Sequence, residues 1–168
     1  MGSKGYILRL TDALNKLDTS LLSLAAGTLR RADTVYVLGN GGSQANAAHL
    51  VLHLRDNGIK AFDVLADNAW ASAMANDLSY EWVPNTLPKL GDKDVAFVIS
   101  GSGESQNVIN LLDIMGNKRT IGLLGMGGGR AKGMCGLPII VDSDEYGVIE
   151  DVHLTCIHII NELLKEGA

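Results

Sequence analysis

The four histidines of this chain fall into two short segments, His49 with His53 and His153 with His158. His49 and His53 lie four apart within Gln44 to Arg55, a stretch whose apolar spacing predicts a helix, and residues at i and i+4 share one helical face. That spacing suits a pair of metal ligands. The second pair stands in the run Ile149 to His158 beside Glu150 and Asp151. On a helix, Asp151 nearly eclipses His158 at seven residues, Glu150 deviates moderately at eight, and the two histidines at five face different ways. One carboxylate and one histidine from this run, joined to His49 and His53, would form an imidazole and carboxylate set suited to zinc and its neighbours. The plainer alternative makes the first pair surface or core residues and His153 a buried ring bonded to backbone.

A second chemistry is written in two loops, Gly39-Asn40-Gly41-Gly42-Ser43 and Ser100-Gly101-Ser102-Gly103-Glu104-Ser105. Glycines let backbone N–H groups approach an anion, serines add hydroxyl donors without fixed charge, and a following helix contributes the positive end of its dipole. Neither loop meets the dinucleotide fingerprint, which needs a third glycine where Gln44 and Gln106 stand. The glycine-rich stretch Gly125 to Gly133 lacks the Gly-Lys-Ser/Thr ending of a nucleotide P-loop and reads as a plain turn that could also help line a pocket. A phosphate monoester on Ser43, Ser100, Ser102 and Ser105 remains, with Asn40, Gln44 and Asn107 close by and no nucleotide cofactor. In the plainer reading these residues only make turns and helix caps.

Elements must carry these groups to one place. Thr34 to Leu38, Ala61 to Leu65, Val95 to Ile99, Thr120 to Leu124 and Leu137 to Val141 are short apolar runs separated by helix-length segments, the pattern of a parallel sheet covered on both faces. Tyr6 to Arg31 has leucines at helical intervals and predicts an opening helix or helix pair, with a break near Thr11 and Asp12. Residues 1–31 thus form a helical segment and 32–168 an α/β core of one domain. In such sheets a ligand binds where strand order reverses, at the carboxyl ends of the strands.

Composition narrows the partners. At 168 residues, 46 % hydrophobic, the chain is long enough for one sizeable core, and its net charge of −5 gives no support to nucleic acid or anionic membrane binding. No apolar run spans a bilayer, and the residues up to Thr11 form no secretory signal, so a cytoplasmic protein is expected. Cys135 and Cys156 have no zinc-finger spacing and read as reduced thiols.

At these residues the sequence resembles the sugar isomerase (SIS) domain family, and within it the phosphoheptose isomerases. The resemblance runs nearly end to end and rests on Gly39 to His49, Asn76-Asp77-Leu78-Ser79-Tyr80-Glu81, Ser100 to Asn107 and Ile149 to His158. It implies a three-layer fold with a five-stranded parallel sheet in flavodoxin-like order, and a homotetramer with active sites at subunit interfaces. It also implies a phosphosugar substrate held by Asn40, Gly41, Gly42, Ser43, Ser100, Ser102, Ser105 and Asn107, with Asp77 near the sugar. The implied reaction interconverts sedoheptulose 7-phosphate and its aldose isomer, feeding heptose synthesis for surface polysaccharides, without a redox cofactor.

The metal set of this family is His and Glu on one helix, then Gln and His on the last. The matching positions here read His49, His53, Glu150 and His158, so the carboxylate has changed helix, and Gly147 stands where a family aspartate is expected. Isomerisation needs a base to move a proton between C1 and C2 and an electrophile to stabilise the enediolate charge. The expected arrangement gathers His49, His53, Glu150 and His158 around one zinc-like ion, with Glu150 or His53 as base and His158 as acid. The rivals are a noncatalytic SIS protein that binds a sugar phosphate or docks a protein such as a replication initiator, and an isomerase of another sugar phosphate such as arabinose 5-phosphate.

Overall fold

A computed structural model describes residues 2–87, 90–116 and 119–167. Five short strands form the sheet: β1 (Val35–Gly39), β3 (Val95–Ser100) and β4 (Thr120–Leu124) are buried throughout, while the edge strands β2 (Ala61–Asp63) and β5 (Leu137–Ile140) are only partly buried. All neighbouring pairs are parallel and the order is β2-β1-β3-β4-β5, the flavodoxin-like order expected. The first and fifth strands are displaced from the sequence reading only at their ends. The second stops at Asp63, two residues early, because the Asp63 carboxylate accepts the Leu65 N–H at 2.9 Å and folds the chain into a turn.

Alternation along β3 divides the interior into two layers. Val95, Phe97 and Ile99 face a core shared with α1 (Ser3–Asn15), α2 (Thr19–Leu29), α3 (Gly42–Asp56) and α7 (Tyr146–Glu166). Ala96 and Val98 face a second core with α5 (Gln106–Met115) and α6 (Gly129–Met134). Helices therefore cover both sides of the sheet, and near-continuous apolar strands follow from that burial. The fourth helix, α4 (Asn68–Asp77), leads into a 3-10 segment at Tyr80–Thr86.

The opening segment is a helix pair, but its break lies at Lys16 to Asp18 rather than at Thr11 and Asp12. The Thr11 hydroxyl donates to the Ile7 carbonyl at 2.8 Å and stays within α1, whereas Asp18 caps α2 by accepting the Ser20 N–H at 3.0 Å. Cys135 and Cys156 are free, buried thiols whose pKa values burial pushes up to about 12. Among the described residues no helix is long and apolar enough to cross a membrane.

The two helices that matter most for chemistry, α3 and α7, run side by side in one register. Asn46 donates to the Glu150 carbonyl at 2.9 Å, and eleven residues further along each helix Asn57 donates to Asn161 at 2.8 Å. Equal advance on both helices means that they point the same way, each starting at the carboxyl edge of the sheet.

Candidate active site

β1 and β3 are neighbours whose connections leave in opposite directions, so their two loops open on one crevice. There a cavity of about 250 Å³ is lined by Asn40, Gly41 and Ser43 from the first loop and by Ser100, Ser102 and Ser105 from the second. Tyr146 and Glu150 of α7 close its other wall. All four expected serines are thus brought together. Ser100 Oγ accepts the Gly103 N–H at 3.0 Å and Ser102 Oγ accepts the Glu104 N–H at 3.2 Å. Each hydroxyl therefore keeps its proton for a ligand acceptor. Ser105 precedes α5 without capping it by its side chain.

The second serine loop is held from behind by the glycine-rich turn. An added Cβ on Gly103 would lie 2.0 Å from the Gly128 carbonyl oxygen, and the Ala131 N–H donates to the Gly103 carbonyl at 3.0 Å. Arg130 adds a brace: its Nε donates to Glu104 Oε2 at 2.9 Å, and one terminal nitrogen donates to the Glu104 carbonyl at 3.0 Å and to Gln106 Oε1 at 3.1 Å. The same guanidinium holds the Glu104 carboxyl below its usual pKa. Gly125 to Gly133 does not line the cavity; it fixes the loop that does. Arg130→Met is accordingly expected to raise the Michaelis constant for a phosphosugar about tenfold with kcat within about twofold, measured by steady-state kinetics.

Three other expected ligands sit differently. Asn40 and Asn107 exchange side-chain hydrogen bonds at 2.9 and 2.8 Å, and Tyr80 donates to Asn40 Oδ1 at 2.6 Å. Asn107 is buried behind Asn40 and positions it instead of lining the cavity. Asp77 ends α4 on the surface, where Asn76 donates to it at 3.0 Å, and it does not line the cavity either. Gly42 contributes by what it lacks: an added Cβ would meet the Glu150 carboxylate at 2.3 Å, so this carboxylate lies directly over the start of α3.

Further along the same seam the histidines gather. His49 and His53 have Nε2 atoms 3.0 Å apart, and His158 completes a group whose ligand atoms all lie within 4.8 Å of one another. The rings stand edge to face, with centroids 4.5 to 5.4 Å apart. Burial first, then the neighbouring His49 and His158, hold the His53 pKa below the ordinary imidazole value and favour the neutral, ligating form. Three of the four expected ligands, all imidazoles, are brought together in this group, and Glu150 stands outside it. Asp151 is not in it either: the Tyr6 hydroxyl of α1 donates to Asp151 at 2.7 Å, which pushes the Tyr6 pKa up to about 12.

His153 points the other way, into the interior, fully buried. Neither ring nitrogen has a hydrogen bond of good geometry, although the Leu124 carbonyl is near enough to offset part of the burial penalty.

Sequence comparison decides the family. No protein-family model matches the chain. It is 35 % identical over 160 residues to the phosphoheptose isomerase of Geotalea daltonii, covering 88 % of this chain and 82 % of that one. It is 32 % identical over 150 residues to the phosphoheptose isomerase of Pelobacter propionicus, covering 82 % and 78 %. The chain belongs to the phosphoheptose isomerase family. Solved structures of this family agree in fold, that from Neisseria gonorrhoeae with a TM-score of 0.86 at 24 % identity over 95 % of this chain and 92 % of that one. The one from Francisella tularensis has a TM-score of 0.85 at 23 % identity over 99 % and 100 %. A phosphoheptose isomerase is an aldose–ketose isomerase acting on a phosphosugar, and in this member of the family the crevice carries the serines while the imidazoles gather further along the α3–α7 seam.

Tyr146 was missing from the sequence reading. Its signal was available, because it stands four residues before Glu150 on the same helix and so shares its face. Its ring occupies the space a side chain on Gly101 would need, 2.7 Å from an added Cβ. Tyr80, also missing as a site residue, lies in a segment recognised only as diagnostic; no periodicity marks its reach to Asn40.

Proposed function

We propose that this protein interconverts a 2-ketose phosphate and its aldose isomer, with sedoheptulose 7-phosphate as its substrate. One observation carries the reading: α3 and α7 place a serine-lined cavity, a carboxylate and three imidazoles in sequence along a single seam. The hydroxyls of Ser43, Ser100, Ser102 and Ser105 hold the phosphate. The N-terminal ends of α3 and α5 add their partial positive charge. Asn40, fixed by Asn107 and Tyr80, orients a sugar hydroxyl.

Glu150 lies on α7 between Tyr146 at the serine end and His158 at the imidazole end, and it moves the proton between C1 and C2. The resemblance implies a carboxylate at the position of His53 on α3 for this task; here α7 presents it. The imidazole group fits a zinc-like ion. Ligand nitrogens about 3.3 Å apart follow from Zn–N bonds of ~2.0–2.1 Å in tetrahedral geometry, close to the His49 to His53 separation. His49, His53 and His158 would hold that ion, which when bound supplies Lewis-acid polarisation of the substrate carbonyl.

A homotetramer with active sites between subunits and a cytoplasmic location complete the proposal. The exposed Trp70, Leu78 and Trp82 of α4 and the following turn supply apolar surface for such an assembly.

Incubation with C5 to C7 ketose phosphates, with and without a chelator, tests the reading. Aldose product is expected from sedoheptulose 7-phosphate in preference to shorter ketoses, with turnover suppressed by metal removal and by His49→Ala. Absence of aldose product from every ketose phosphate, with phosphate esters still bound, would favour a noncatalytic sugar-phosphate-binding protein. Product from C5 ketoses alone would favour an arabinose 5-phosphate type of activity.

A further inference from the structure

The serine cavity has an unusual charge for an anion site. Its lining contains no lysine, arginine or histidine among the described residues, and it does contain one carboxylate, Glu150. Arg130, the nearest cation described for the second loop, is engaged with Glu104. The glycine at position 42 leaves the space the Glu150 carboxylate occupies, and the backbone carbonyl of Glu150 is anchored by Asn46 at 2.9 Å, so the helix turn that presents it is fixed. A phosphate ester carries about −1.5 to −2 charges at neutral pH. In a partly enclosed cavity a like charge on the wall opposes it by far more than it would in water. The hydroxyls and helix ends attract the anion, and Glu150 repels it.

We infer that Glu150 is a specificity-determining residue, which makes the cavity discriminate against bare phosphate anions in favour of phosphate esters carrying a hydroxyl chain. A sugar hydroxyl can donate to the carboxylate and turn the opposing group into a charge-assisted hydrogen bond, whereas a small ester without hydroxyls leaves the repulsion uncompensated. Discrimination thus comes from a built-in penalty that only the polyol part of the ligand relieves. This rests on the assignment of the serine cavity as the phosphate site, and it is separate from the role of Glu150 in proton transfer because it concerns equilibrium binding.

Two nonreacting probes test it on the full chain by titration calorimetry: methyl phosphate, with no hydroxyl, and glucitol 6-phosphate, which has a hydroxyl chain and no carbonyl. Wild type is expected to bind glucitol 6-phosphate at least about tenfold more tightly. Glu150→Gln keeps the shape and removes the charge; it is expected to bind methyl phosphate about tenfold more tightly than wild type, narrowing the gap between the probes. Glu150→Asp keeps the charge and is expected to show no such gain. Methyl phosphate affinity in Glu150→Gln equal to or below that of wild type, with glucitol 6-phosphate still bound, would overturn this inference alone. Failure of wild type to bind either probe would overturn the phosphate-site assignment together with it.

Discussion

Gly103→Ala is expected to destabilise the protein by about 2–5 kcal/mol and to abolish measurable phosphate-ester binding. Two independent penalties meet at this residue. Its φ of +66° lies in the left-handed region, where an alanine costs roughly 1–2 kcal/mol. In addition, the new Cβ would stand 2.0 Å from the Gly128 oxygen and 3.2 Å from the Gly129 nitrogen, both backbone atoms. No rotamer change relieves such a contact. The serine loop or the turn behind it must move, and overpacking of this kind costs about 1–3 kcal/mol. Because Ser100 and Ser102 accept the N–H groups of Gly103 and Glu104, movement of this backbone disperses the hydroxyls that face the cavity. Gly116→Ala is the matched comparison. Its φ is +65° with ψ 165°, but nothing lies within 4 Å of its added Cβ, so only the conformational cost of about 1–3 kcal/mol remains. Urea unfolding and glucitol 6-phosphate titration of the two variants measure the difference; equal losses would remove the close backbone contact from the explanation.

The contrast between these two glycines shows what could be read from residue order and what could not. Strand positions were legible because a parallel sheet covered on both sides demands unbroken apolar runs, and Val95 to Ile99 or Thr120 to Leu124 have no other economical use. The serine loops were legible because glycine and hydroxyl immediately follow the runs Thr34 to Leu38 and Val95 to Ile99. Glycine count alone, however, does not separate Gly103, pressed against the Gly128 carbonyl, from Gly116, open to solvent; only the path of a segment 25 residues later does so.

The imidazole group was partly legible for a similar reason. Helical periodicity pairs His49 with His53 without ambiguity, because the rule acts within one helix. Choosing between Glu150, Asp151 and His158 as their companions requires the relative register of α3 and α7, which depends on long-range contacts such as Asn46 with Glu150 and Asn57 with Asn161. That register sends Glu150 to the serine cavity, while α1 takes Asp151 through Tyr6. The resemblance placed Glu150 among the ligands because it stands at the position matched to a ligating glutamine of the last helix. A carboxylate at that position finds the space over Gly42 open.

The buried face of α7 carries a second large effect, on acid stability. His153 is fully enclosed, and burial lowers its pKa from 6.5 to about 4, with a partly offsetting contribution from the Leu124 carbonyl. When the folded-state pKa of a base is depressed, the unfolded chain takes up the proton first. The stability linked to this ring is therefore complete above pH 6.5 and is lost as pH falls towards 4, where the loss amounts to about 3 kcal/mol. His53 shifts in the same direction and adds to the slope. His153→Leu keeps an apolar side chain of similar size in the enclosure and cannot protonate. Its stability at pH 7.5 is expected within about 1.5 kcal/mol of wild type, while at pH 4 it should exceed wild type by an amount set by the missing protonation. Urea midpoints of the two proteins at half-unit intervals from pH 7.5 to 4 provide the measurement. Curves that stay parallel throughout would mean that His153 is hydrated or hydrogen-bonded in the folded protein and titrates as an ordinary imidazole, whereas divergence confined to the window below 6.5 ties acid sensitivity to the ring that α7 turns away from the seam.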